Sequence, residues 1–154
     1  MVCDIPGRGR LLLSHAVFDF NGTLALDGAV SEDTRILLQR VMKAYAVVIL
    51  TADTFGTATE FARAVGATLT VVKDGEEKKR AVIHLQEAGA GVVALGNGVN
   101  DAPMFTVADL AIGILGGEGA AMVTLAKAHL VVKSIDDALG LLIEPRRLIA
   151  TLRT

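Results

Sequence analysis

An aspartate closes an early apolar run of the chain. In "HAVFDFNGTLALDG", His15 to Gly28, Asp19 comes directly after Ala16–Phe18 and is followed by Asn21-Gly22 and Thr23. Asn-Gly between apolar segments is a strong hairpin signal. A carboxylate at the end of a buried strand is also what phosphoryl chemistry uses, because it can attack phosphorus and form an aspartyl-phosphate. Other apolar runs end in polar residues as well. Thr51 closes "VVILT", Lys78 lies near the start of "EEKKR", and "VVALG" leads into "NGVND" with Asn97 and Asp101. A hydroxyl with a helix N-terminus behind it can hold phosphate oxygens. An ammonium can neutralise phosphate and nucleophile together, and two aspartates are hard oxygen ligands suited to Mg²⁺.

These residues need a scaffold that brings strand ends together. Short β-branched runs at Ala16–Phe18, Ala46–Leu50, Thr68–Val72, Val92–Leu95, Leu110–Ile112 and Leu130–Val132 read as strands. Amphipathic stretches lie between them. One opens with Ser31-Glu32-Asp33, a capping serine and two first-turn acids. Thr54 to Val65 is stopped by Gly66, Glu76 to Ala88 is followed by Gly89, and Ser134-Ile-Asp-Asp137 opens the last as a capping box. The alternation predicts right-handed βαβ units: an α/β, three-layer Rossmann-like fold with a doubly wound, mainly parallel sheet. Ligands of such sheets bind at the carboxyl ends of the strands, where Asp19, Thr51, Asn97 and Asp101 all fall. The segment before Ala16, with Pro6, Gly7 and Gly9, is expected to add an edge strand or a turn.

Composition narrows the class. With 154 residues, the chain is expected to form one domain, 1–154. Fifteen basic and 17 acidic residues give a net charge of −2, which argues against a general nucleic-acid binder. One cysteine, Cys3, allows no internal disulfide, and a reducing, cytoplasmic setting is expected. The 52% hydrophobic content is spread over short runs, so no membrane span or signal peptide is expected.

The order Asp19, Thr51, Lys78, Asp101 is that of the haloacid dehalogenase superfamily. "FDFNGTLALDG" resembles its first motif, "VVILT" its second, Lys78 its third and "LGNGVNDAPMF" its fourth. The stretch "GEEKKRAVIHLQEAGAGVVALGNGVNDAP" looks especially like the phosphorylation domain of P-type cation ATPases, and the soluble P-type ATPase-like branch is the nearest resemblance. The resemblance implies that Asp19 is nucleophile and metal ligand. It gives Thr51, Ala52, Gly22 and Lys78 the phosphoryl group, Asn21 a ligating backbone carbonyl, and Asn97 and Asp101 the remaining Mg²⁺ positions. Thr23 and Asn100 would support the loops.

Two letters depart from the family pattern. Position 21 is ordinarily an aspartate that protonates the leaving group and later activates water, and Asn21 can do neither. General acid–base help is worth ~10²–10⁴-fold. Alkyl phosphates should therefore be poor substrates, whereas ATP or an acyl phosphate has a good leaving group. Asn97 keeps an oxygen but removes a negative charge from the metal position. The expected activity is a slow Mg-dependent phosphohydrolase or phosphotransferase acting on a phosphorylated substrate or ATP. The alternatives are a pseudoenzyme that binds phosphate, nucleotide or a protein partner, and a small-molecule phosphomonoesterase.

No cap domain fits between Asp19 and Thr51 or between Thr51 and Lys78. The open site admits a protein substrate or closure by a second subunit, hence a homo-oligomer, and this stretch alone is not expected to pump ions. Both Asn-Gly pairs are open to deamidation. "GILGGEG", Gly113 to Gly119, lacks the Lys and Ser/Thr of a Walker motif and reads as a plain loop. Thr51 and Asp53 could also cap the following helix. Lys79 and Arg80 read as a solvated face, the three histidines as structural or surface residues, and Arg146, Arg147 and Arg153 as a basic C-terminal helix.

Overall fold

The structure is a computed structural model that describes residues 1–52 and 56–154. Two short strands, β1 (Val2–Ile5) and β2 (Gly9–Leu12), form an antiparallel hairpin of their own rather than an edge of the main sheet. Pro6 and Gly7 make its turn, with Gly7 at φ +82°. Cys3 and Ile5 alternate inward from β1 into the core.

The main sheet has six parallel strands in the order β5-β4-β3-β6-β7-β8. In chain order these are β3 (His15–Asp19), β4 (Ala46–Thr51), β5 (Thr68–Val71), β6 (Val92–Gly96), β7 (Leu110–Ile114) and β8 (Leu130–Val132). The helices are α1 (Glu32–Val41), α2 (Thr57–Val65), α3 (Gly75–Glu87), α4 (Ala102–Phe105), α5 (Met122–Leu125), α6 (Ile135–Ile143) and α7 (Pro145–Leu152). Every strand expected from the sequence is present within one or two residues. Ser31 and Ser134 cap α1 and α6, accepting from Thr34 N and Asp137 N, and Gly66 closes α2 at φ +81°. The expected start of the second helix at Thr54, and the capping role considered for Asp53, lie outside the described residues. Helices α4 and α5, four residues each, are too short to leave a periodic trace in the sequence.

Alternation within the strands builds the three layers. Ala16, Phe18, Val47, Ile49, Val93, Leu95 and Ile112 pack on one face with residues of α1, α2, α6 and α7. Val17, Val48, Leu50, Val92, Ala94 and Ala111 pack on the other with Val82 of α3 and with Met104 and Phe105. A sheet covered on both faces needs apolar residues at nearly every strand position, which accounts for the apolar runs. Between β3 and β4, and between β4 and β5, the described residues hold no added domain.

Topology singles out one place for chemistry. The chain runs outward from β3 through β4 to β5, then returns to β6 on the other side of β3. The crevice at the carboxyl end of β3 is therefore the switch point of the sheet, and Asp19 is the last residue of that strand.

Candidate active site

Register sets the distances. Asp19 pairs with Leu50 and Phe18 with Leu95, so Thr51 and Asn97 lie just beyond the same edge as Asp19. Thr51, the last residue of β4, is 1% exposed. Ala52 follows it at the surface.

Lys78 enters from α3. Asp74 caps that helix by accepting from Glu77 N at 2.9 Å, and Glu77 accepts from Lys73 N at 2.7 Å. The first turn is thereby fixed, and the fourth helical residue points into the sheet edge. Lys78 is fully buried, and its Nζ donates to Asp19 Oδ1 at 2.6 Å and to Asp101 Oδ1 at 2.7 Å. A lysine is almost never fully buried without partners. Here two carboxylates provide them.

Asp101 is fully buried as well. Its second oxygen accepts from the backbone N–H groups of Asn97 (3.0 Å) and Gly98 (2.9 Å). The carboxylate folds back over the loop only because residue 96 is glycine: a Cβ on Gly96 would lie 2.5 Å from Asp101 Cγ. Three of the four lone-pair directions of Asp101 are thus occupied by protein donors. The geometry gives this residue the work of holding Lys78 and the Asn97–Gly98 backbone, and one direction remains for the metal-ligand role that the resemblance implies.

Charge does not balance in the cluster. One ammonium faces two carboxylates, leaving an excess negative charge in a buried place. The Asp19 carboxyl is pushed up to about 6 by burial and then by Asp101, with Lys78 pulling the other way. Burial acts to lower the Lys78 ammonium, but the two carboxylates together outweigh it and hold the group above its ordinary value. An uncompensated buried negative charge among hard oxygen donors fits a divalent cation such as Mg²⁺.

The turn after Asp19 is tight. Phe20 O accepts from Thr23 N and Ala25 N, and Gly22 N donates to Ala25 O at 2.8 Å. Gly22 sits at φ +76°, and a Cβ there would approach Asn97 Nδ2 to 2.6 Å and Glu118 Oε2 to 2.9 Å. Glycine is required both by conformation and by the closeness of the fourth-motif loop. Asn21 itself is exposed. It forms an isolated bridge with Ala25 rather than opening a long hairpin.

Asn97 behaves differently. It is 8% exposed, its Nδ2 donates to Gly119 O at 2.9 Å, and its Oδ1 accepts from Thr23 Oγ1 at 3.2 Å. Thr23 therefore does support the loops. Asn100 is exposed beside Gly98 and takes no part in the buried cluster. Sequence reading missed three contributors. Thr124, fully buried, donates to Gly98 O at 2.6 Å. Gly119 receives the Asn97 amide, and Glu118 accepts from Asp27 N at 3.4 Å. Glu118 and Gly119 belong to the "GILGGEG" stretch, which packs against the first motif. Its place after β7, at the same sheet edge, was the available signal.

Comparison with known proteins places this arrangement. No family model matches the chain. A copper-exporting P-type ATPase of Staphylococcus aureus is 32% identical over 111 residues, covering 70% of this chain and 14% of the ATPase. A protein of Streptomyces avermitilis described as a HAD family hydrolase superposes with a TM-score of 0.68 at 20% identity, over 92% of this chain and 84% of that one. The 3-deoxy-D-manno-octulosonate 8-phosphate phosphatase of Moraxella catarrhalis, solved with magnesium ion and phosphate ion, superposes with a TM-score of 0.74 at 14% identity, over 92% and 94% of the two chains. The fold is haloacid dehalogenase-like. The chain resembles the P-type ATPases in sequence, but spans only a small part of their length. Among the described residues no helix is long and apolar enough to cross a membrane.

Proposed function

We propose that the chain is a divalent-metal-dependent phosphohydrolase or phosphotransferase that forms an aspartyl-phosphate on Asp19. The observation that carries this reading is the buried Asp19–Lys78–Asp101 cluster at the switch point of the sheet. The likeness to hydrolases of this fold and to P-type ATPases supports the coarser statement that it is a phosphohydrolase.

In the first step an oxygen of Asp19 attacks phosphorus, and the bond to the leaving oxygen breaks with its electron pair going to that oxygen. Lys78 holds the nucleophile in place and offsets the charge gathered around it, which is the main demand of phosphoryl transfer. Thr51, on the neighbouring strand end, would bind an oxygen of the transferring group. In the second step water attacks the phosphorus of the acyl phosphate, inorganic phosphate leaves, and the Asp19 carboxylate is restored. Asp19, Asn97 Oδ1 and the Asn21 carbonyl would hold Mg²⁺, with Asp101 shaping the loop behind it. When bound, the ion would neutralise charge on the phosphoryl oxygens.

Asn21 sets the substrate preference. An amide cannot protonate a leaving alkoxide, so donors whose leaving groups depart as stable anions are favoured. ATP and acyl phosphates satisfy this, and phosphoenzyme hydrolysis should be slow. The test is phosphate release with magnesium from ATP, acetyl phosphate and glycerol phosphate. Slow release from the first two and almost none from the third is expected. Fast turnover of glycerol phosphate would mark a conventional phosphomonoesterase, and neither release nor covalent label from any donor would mark a pseudoenzyme.

A further inference from the structure

A cavity lined in part by Phe20, the residue after Asp19, has no role in the proposed reaction. It measures about 340 Å³, and Phe20, Val30, Arg35, Thr57, Glu60 and Phe61 are among its lining residues. That volume falls at the lower end of small-molecule sites, ~300–1,000 Å³. Phe20 directly follows Asp19, Val30 immediately precedes the Ser31 cap of α1, and Thr57 opens α2 behind β4. The cavity therefore sits at the same sheet edge as Asp19 and Thr51.

Its distinctive member is Arg35. The guanidinium lies 4.9 Å above the Phe61 ring, which is itself 5.8 Å from the Phe20 ring. Among the described residues Arg35 makes no ion pair and no side-chain hydrogen bond. A guanidinium held over an aromatic ring gains a cation–π contact and still has N–H groups to donate to a carboxylate or phosphate. Glu60 on the same wall adds an acceptor for a hydroxyl or amine, so a purely apolar ligand suits the cavity poorly.

We propose that this cavity is the leaving-group subsite, and that Arg35 binds an anionic oxygen group carried by the leaving group itself, either a second phosphate or a carboxylate. The inference rests on the proposed function and deepens it. Asn21 cannot supply a proton, so the leaving oxygen departs charged, and a cation next to its path offsets that charge.

Calorimetric titration of the full chain with inorganic phosphate, pyrophosphate and phosphoglycolate, in magnesium buffer, tests it. The wild type should bind one or both of the doubly anionic probes at least about 10-fold tighter than phosphate, as a charge-assisted bidentate contact would give. Preference for pyrophosphate names a second phosphate as the group, and preference for phosphoglycolate names a carboxylate. Arg35→Met, which keeps the stem over Phe61, should erase the preference. If that variant is misfolded by circular dichroism, Arg35→Lys should reduce the preference by losing the fork. Absence of the preference in the wild type, or its survival in the folded Met variant, overturns the inference. Asp19→Asn should lose covalent labelling and keep the preference. A missing label with the preference intact therefore removes only the catalytic reading, and an intact label without the preference removes only the subsite.

Discussion

The same dipeptide occurs twice at this sheet edge and is used in two ways. Asn21-Gly22 is a turn in which Asn21 is exposed and Gly22 is buried in the left-handed region. Asn97-Gly98 is drawn inward: Gly98 is extended at φ −87° and ψ 164°, its N–H is held by Asp101, and the Asn97 amide is bonded at both ends. The first pair is built into the loop by its backbone, leaving the side chain at residue 21 open to change. The second is built in by its side chain. The effect of an asparagine here depends on what its amide touches, which neighbouring residues in the sequence do not reveal.

The largest expected effect comes from removing the cation that holds Asp101, the anchor of the second pair. Lys78→Met leaves Asp19 and Asp101 buried together without a cation, and loss of one partner of a buried ion pair costs about 3–5 kcal/mol. Denaturant unfolding should show a loss of that size, and a loss under about 1 kcal/mol would mean that the cluster is not dry. Asn21→Asp should leave folding almost unchanged and restore a general acid. Phosphate release from glycerol phosphate should rise by ~10²-fold, the lower end of acid–base catalysis, because Asn97 is still present.

Asn97→Asp should behave in the opposite way. A carboxylate in place of the amide sets an acceptor against the Gly119 carbonyl, with a loss of about 1–3 kcal/mol without divalent ions. Thermal melts with EDTA and with magnesium should differ far more for this variant than for wild type. The smallest effect is slow chemistry of the chain itself. In aged protein deamidation needs the glycine nitrogen to leave its hydrogen bond, to Ala25 O at Gly22 and to Asp101 at Gly98, and only at residue 97 is the amide held at both ends as well. Peptide mapping should find deamidation at residue 21 well ahead of residue 97.

How much of this was legible depends on range. The six strands were readable because each is a short apolar run covered on both faces, and Ser31, Ser134 and Gly66 marked helix ends by their own chemistry. The N-terminal hairpin was less legible, because nothing local says whether a strand joins the main sheet or pairs with its neighbour. In the site, Asp19, Thr51 and Lys78 were placed correctly at one edge because strand ends converge. The double engagement of Asp101, the Asn97–Gly119 bond and the contact of the Arg35 guanidinium with the Phe61 ring join residues of different loops and helices. No periodicity or local pattern encodes such contacts.

The central claim is that Asp19 becomes phosphorylated. Mass spectrometry of the full chain after brief incubation with acetyl phosphate or ATP and magnesium, quenched in acid, tests it most directly. One added phosphoryl group on Asp19, stable in acid, released by hydroxylamine and absent in Asp19→Asn, is expected. A label on another residue, or none on wild type and on Asn97→Asp alike, would contradict it.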